Sequence, residues 1–253
     1  MSRLLGLYAA AAFAFLHLPL LVLAVFSFNE SRFTVWTGFS LKWFDAAFRD
    51  AQLAEATWNS LLIAFAATLA STIIGTLCAY GLWKRSSRAV SGTLYLSLVT
   101  PEIVMGVSLL AFFQWLFRYV GMHLGMHTVI AAHTMFCIAY VVIVVSARLR
   151  SMDASLEEAA LDLGATEWTT FRRVTLPLIF PAVAAAGLLA FTISFDDYVI
   201  TSMVAGVDSE TLPMVVYALA RRGANPVVNA ISTLIVVGLG VLIAVSSKLQ
   251  ETR

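Results

Sequence analysis

The sequence predicts an all-α integral membrane protein with six transmembrane helices. Three observations lead there. Of 253 residues, 60% are hydrophobic and only 12% charged, about half the charged share of an ordinary soluble domain. The apolar residues gather into runs of the roughly 20 residues a helix needs to cross the hydrocarbon core. Most Lys and Arg residues fall in the short segments between those runs, as expected for polytopic chains. A net charge of +1 offers no basic patch with interleaved aromatics, which excludes nucleic acid as a partner.

The first span is Leu7–Phe28, with His17 and Pro19 inside it. The uncharged stretch from Leu4 to Asn29 is longer than a signal-peptide core and lacks a small-residue cleavage site, so it reads as a retained helix. The segment from Asn29 to Ala56 carries Trp36, Trp43, Phe44 and Phe48, which suits a helix lying at the membrane interface. The second span is Trp58–Trp83, rich in Ala, Ser, Thr and Gly. Small residues such as Gly75 let backbones approach closely, placing it inside the bundle. Lys84, Arg85 and Arg88 make a basic turn. The third span, Leu94–Phe117, is interrupted by Pro101-Glu102, and the fourth is Thr128–Ala147. The fifth runs from Leu178 to Ala205, a loop covers Gly206 to Val228, and the sixth is Ala230–Ser247. Cys78 and Cys137 lie in apolar runs without CxxC or metal spacing and read as small hydrophobes.

Between the fourth and fifth spans lies Ser155–Pro177, SLEEAALDLGATEWTTFRRVTLP. Ser155 with Glu158 three residues on is a capping-box signature. Leu156, Ala159, Ala160 and Leu163 recur at helical spacing, which predicts a short amphipathic helix. Gly164 can take positive φ and end it. Thr166 can cap a second short helix running toward Val174, and Pro177 is expected to halt or bend the chain.

The pattern Glu158-Ala159-Ala160, three residues, Gly164, nine residues, Val174, one residue, Leu176-Pro177 resembles the EAA loop of ABC-importer permeases, with Val174 in place of the usual Ile. TPEIVMGVSLL (Thr100–Leu110), SFDDYVITSMVAG (Ser194–Gly206) and LPMVVYALARRGANPVVNAISTL (Leu212–Leu234) are similar to the polyamine branch, in particular to the second, shorter permease of spermidine/putrescine-type importers. There the acid after Pro is often Asp, where this chain has Glu102. The resemblance implies the type I importer permease fold. It also implies that 1–253 is one permease domain and that 148–177 is a cytoplasmic coupling loop within it. Implied partners are a second homologous permease, a dimer of ATP-binding subunits, and a periplasmic solute-binding protein. Glu158, Ala159, Ala160 and Gly164 match the ATPase-interface positions. Arg172 and Arg173 read equally as ATPase contacts, lipid-headgroup contacts or plain positive-inside anchors.

Orientation follows from charge. With six spans, Arg3, Lys84, Arg85, Arg88, Arg148, Arg150, Arg172, Arg173, Lys248 and Arg253 share one side, against Arg32, Lys42, Arg49, Arg118, Arg221 and Arg222 on the other. Both termini and the EAA loop are therefore expected in the cytoplasm of an inner (plasma) membrane.

Glu102, Asp196 and Asp197 fall inside apolar spans, where a charge costs about 2.5–3.5 kcal/mol to insert. At 1.5 Å per residue, Glu102 is expected roughly 12–15 Å into its helix and the aspartates roughly 27 Å along theirs. Acids without Lys or Arg in the same spans suggest a path for a small cationic substrate; the bland reading is a packing acid at Glu102 and a solvated helix end at the pair. His123, His127 and His133 include a spacing of four, but no HExxH occurs and Gly121 and Gly125 mark a loop, so no metal site is expected. No GxxxxGK[ST] occurs and no cofactor is implied, so an ATPase has to be a separate chain. Two further readings remain: a permease for another solute (an opine-like amine, an aminophosphonate or ferric iron), or an intramembrane enzyme built on the histidines and acids.

Overall fold

The computed structural model describes residues 2–33, 35–223 and 225–251. In chain order the helices are α1 (Ser2–Ser27), α2 (Lys42–Arg49), α3 (Ala51–Lys84), α4 (Arg88–Val99), α5 (Glu102–Val120), α6 (Met126–Arg150), α7 (Ser155–Asp162), α8 (Glu167–Thr170), α9 (Leu176–Asp196), α10 (Val199–Val204), α11 (Leu212–Arg221) and α12 (Pro226–Glu251). A π-helical turn, Phe171–Thr175, joins α8 to α9. Among the described residues the only β pairing is an isolated bridge between Asn29 and Phe39. An all-helical answer is what hydrocarbon demands, because each backbone N–H and C=O has to be satisfied within its own segment. Among the described residues, five stretches are long and apolar enough to cross a membrane: Leu4–Ser27, Ala51–Lys84, Glu102–Val120, Met126–Arg150 and Glu167–Asp196. The sixth expected span falls within α12. Of the basic residues used for orientation, Arg253 lies outside the described residues.

The chain forms two compact units, one of Met1–Ala56 with Met214–Arg253 and one of Thr57–Pro213. In the first, α12 packs along α1 and touches α2. The surface helix expected between the first two spans is α2. Its approach is tied by the buried Asn29 side chain, whose amide donates to the carbonyls of Phe33 (3.2 Å) and Val35 (2.9 Å) while its oxygen accepts from the N–H groups of Ser31 and Thr37. The Trp43 indole N–H donates to the Asn29 carbonyl at 2.8 Å.

In the second unit α6 is the central helix, with 56% of its most apolar window buried, the largest share of the five. Val129, Ala132, Cys137, Val141 and Val145 of α6 join Ile63, Ile179, Ala186, Ala190, Ile200 and Val204 in one apolar core. Cys137 is thus the core residue its surroundings suggested, and Cys78 is half-buried against the same core. The close approach expected of Gly75 is present: a Cβ there would lie 2.7 Å from Val141 Cβ and Cγ1. Gly75→Ala is expected to lose about 1–3 kcal/mol by overpacking, read as a lowered unfolding midpoint of the purified protein.

Three expected boundaries move. The third span is two helices, α4 and α5, because Pro101 lacks an N–H and forces Thr100 into extended backbone (φ −66°, ψ 127°). Glu102 is therefore the first residue of α5 rather than two or three turns into a helix. The fifth span ends at Asp196, and α10 follows as a separate short helix. The expected loop from Gly206 to Val228 contains α11, whose Pro213 sits in the first turn, where a missing N–H costs no helical bond.

Candidate functional site

The EAA segment folds as helix, glycine turn, helix. Gly164 has φ +85°, its N–H donates to the Leu161 carbonyl (2.9 Å), and the Ala165 N–H donates to Ala160 (3.1 Å). These are the two bonds of a Schellman ending, which needs a left-handed residue where Gly164 stands. Thr166 caps α8 as expected, accepting from the Thr169 N–H at 3.3 Å. The capping box does not form. Ala154 is the N-cap residue and makes no side-chain cap bond; instead Asp153 Oδ1 accepts from the Ser155 N–H at 3.0 Å. That backbone bond, with the Ser155 side chain, holds the Asp153 carboxyl below its ordinary value. A lowered folded pKa means the contact is complete at neutral pH and is lost only as pH falls through that value. Pro177 does not halt the chain. The π turn absorbs it, with Leu176 N–H reaching back to Phe171 O, and the helix runs on into α9.

The amphipathic pattern of α7 is present but faces the opposite way from a core helix. Leu156, Glu158, Ala159, Leu161 and Leu163 are exposed, Leu163 at 90%, and Trp168 of α8 is 63% exposed. The side chain turned inward is Glu157, 1% exposed. Its carboxylate accepts from the Thr175 hydroxyl and pairs with Lys84 Nζ. The sequence pattern singled out Glu158; Glu157, which turns inward, has no local signature that sets it apart from its neighbour.

The path acids separate in the same manner. Glu102 is exposed at the start of α5, and α5 meets α10 one turn later, where a Cβ on Gly106 would lie 3.2 Å from Met203 Cγ and 3.5 Å from Ile200 Cα. Asp196, the last residue of α9, is exposed. The Asp197 side chain is 7% exposed. Its Oδ2 accepts from the Thr201 N–H and hydroxyl, both at 2.8 Å, and lies 3.3 Å from His133 Nε2. His133, on α6, also contacts Thr201 Oγ1 (2.9 Å) and Ser194 Oγ (2.7 Å). Because the Thr201 hydroxyl donates to Asp197, it accepts from His133, so Nε2 carries a proton. This node fastens α6 to the α9–α10 corner. Ser, His and Asp meet here, but Ser194 is 3% exposed and so is closed to substrate, unlike an activated nucleophile. The spacing of His123, His127 and His133 says nothing of the contact His133 makes with Asp197, which depends on a residue 64 positions away. His133→Ala leaves a buried carboxylate and two hydroxyls short of a partner and is expected to lose about 3–5 kcal/mol, measured as the unfolding midpoint.

Comparison with known families settles the class. The model described as "binding-protein-dependent transport system inner membrane component" matches residues 71–253. The chain belongs to this family. As such a component it is a permease and not an enzyme, which sets aside the intramembrane-enzyme reading. The permease is 41% identical over 255 residues to a spermidine/putrescine transport system permease protein of Haemophilus influenzae, covering 98% of this chain and 97% of the relative. It is 44% identical over 237 residues to a putrescine transport system permease protein of Escherichia coli, covering 91% and 84%. Among solved structures it is similar to a bacterial ABC transporter importing the acidic polysaccharide alginate (TM-score 0.77, 18% identity, 99% of this chain and 94% of that one). It is also similar to a methionine ABC transporter in inward-facing form (TM-score 0.64, 20% identity, 79% and 93%). At those identities the structures speak for the fold alone.

Proposed function

We propose that this permease carries polyamines or related organic cations inward across the bacterial inner membrane as one subunit of an ATP-driven importer. It pairs with a second homologous permease, an extracytoplasmic binding protein delivers the cation, and two ATP-binding subunits dock on the cytoplasmic side. The whole chain acts as one permease domain, with both termini and residues 148–177 cytoplasmic. End-to-end similarity to polyamine permeases carries the substrate assignment. The exposed Asp196 and Glu102 support it, since each can offer a carboxylate to an ammonium group. The outward apolar face of α7, flanked by Ala159 and Gly164, supports the ATPase contact, because exposed apolar patches on polar rims mark interaction sites.

Mechanistically, closure of the ATPase dimer displaces α7, and α6, joined to it by a short turn, and α9, joined to it through α8 and the π turn, change tilt and expose the path alternately to the two sides. The test is uptake of radiolabelled putrescine and spermidine in cells without other polyamine importers, with this chain expressed beside its chromosomal neighbours. ATP-dependent uptake is the expected result. Uptake confined to an aminophosphonate, an opine-like amine or ferric iron would overturn the polyamine assignment and keep the importer class.

A further inference from the structure

The EAA segment holds one buried charge, and its partner comes from 73 positions earlier in the chain. Glu157 is 1% exposed on α7, and Lys84, the last residue of α3, reaches it with a side chain still 34% exposed. The ammonium group also lies over the rings of Tyr80 (5.6 Å) and Trp83 (5.1 Å). The Tyr80 ring packs at a 46° tilt on Phe171 of the π turn, centroids 4.6 Å apart, and Thr175 from the end of that turn donates to the same Glu157 carboxylate. Three elements thus meet on one carboxylate: α7, the end of α3, and the π turn leading to α9. An apolar contact of equal volume would hold these elements together at least as well, because burying a charge pair brings little net stability. What an ion pair adds is direction: it fixes α7 in one register against α3 and resists displacement of either.

We propose that Lys84 and Glu157 form a clamp that transmits the motion of α7 to α3. Helices α6 and α9 follow α7 through the neighbouring chain, whereas α3 packs on α6 through Gly75 and meets α7 itself through this pair, which gives α3 a direct hold on the stroke. The proposal rests on the reading of α7 as the ATPase-docking helix. Lys84 and Glu157 are positioning residues: neither touches substrate or nucleotide.

The experiment uses the complete importer reconstituted in proteoliposomes with its ATPase subunits and binding protein. Glu157→Gln, Lys84→Met and the exchange Glu157→Lys with Lys84→Glu are compared with the unaltered protein. Polyamine taken up per ATP hydrolysed is measured, along with co-purification of the ATPase. Each single variant is expected to keep the ATPase bound and hydrolysing while uptake per ATP falls by about 2- to 30-fold, the range for residues that modulate coupling. The exchange is expected to recover most of that loss. Unchanged uptake per ATP in both single variants overturns the clamp. So does an exchange no better than the single variants, or loss of the ATPase from the singles without recovery in the exchange, since those outcomes describe a folding or docking residue. A photo-crosslinking residue at exposed Leu161, with the clamp intact, reports ATPase docking separately. Failure to crosslink removes the docking reading itself, whatever the coupling ratios.

Discussion

Gly164→Pro is expected to abolish uptake while the protein still reaches the membrane. Gly164 sits at φ +85°, and proline is fixed near −65°. The substitution also removes the N–H that donates to Leu161. The Schellman ending is therefore lost and α8 leaves α7 in another direction, carrying Trp168 with it. The surroundings of Gly164 are open, with nothing within 4 Å of an added Cβ, so Gly164→Ala meets no clash. It bears only the left-handed strain of about 1–2 kcal/mol and is expected to retain partial uptake. Glu158→Lys probes the same surface without touching the turn. Glu158 is exposed, so folding is spared, and uptake is expected to fall about 30-fold or more, the lower end for losing a charged contact buried at an interface. The check is uptake together with ATPase co-purification. Intact docking and transport in both Gly164→Pro and Glu158→Lys would falsify the coupling role of α7.

Asp196→Asn and Asp197→Asn are expected to fail in different ways, although the two residues are adjacent. Asp196 is exposed, so its neutralisation leaves packing intact and removes a charge-assisted contact to the substrate. The expected result is a rise of about 10- to 100-fold in the concentration for half-maximal uptake, the size of one hydrogen bond to a charged group, with normal protein in the membrane. Asp197 is already occupied by Thr201 and His133. Its neutralisation is expected to lower the amount and the unfolding midpoint of the protein, with half-saturation unchanged in what remains. Glu102→Gln belongs with Asp196, since Glu102 too is exposed at a helix start. Normal assembly and unchanged polyamine uptake in all three variants would remove the cation path altogether.

Much of this architecture was legible in the chain because a membrane imposes one-dimensional rules. Runs of apolar residues locate the spans, and only a helix satisfies their backbone, so fold class follows from hydropathy. The glycine turn at Gly164 and the cap at Thr166 were legible for the same local reason: each depends on a residue and its neighbours within five positions. Helix α11 was hidden because its apolar run is too short to stand out between charged residues. The break before Glu102 was visible as Pro101, but its consequence, that Glu102 begins a helix, depends on how the backbone on either side resolves the missing N–H.

What the sequence could not reveal is the same at both candidate sites. Two pairs of adjacent acids occur, Glu157-Glu158 and Asp196-Asp197, and in each pair one carboxylate is buried and the other exposed. Composition and local spacing treat the members alike. The choice is made by partners 64 to 73 residues earlier in the chain, Lys84 for Glu157 and His133 for Asp197, brought alongside only when α3 and α6 pack. On α7 a helical step of about 100° turns Glu158 away from Lys84, and at the end of α9 the backbone becomes extended at Asp197, which sends its side chain a different way from that of Asp196. The sequence alone determined that this is an all-helical membrane permease; tertiary packing decided which acid of each pair is buried against a partner and which is left exposed to meet something else.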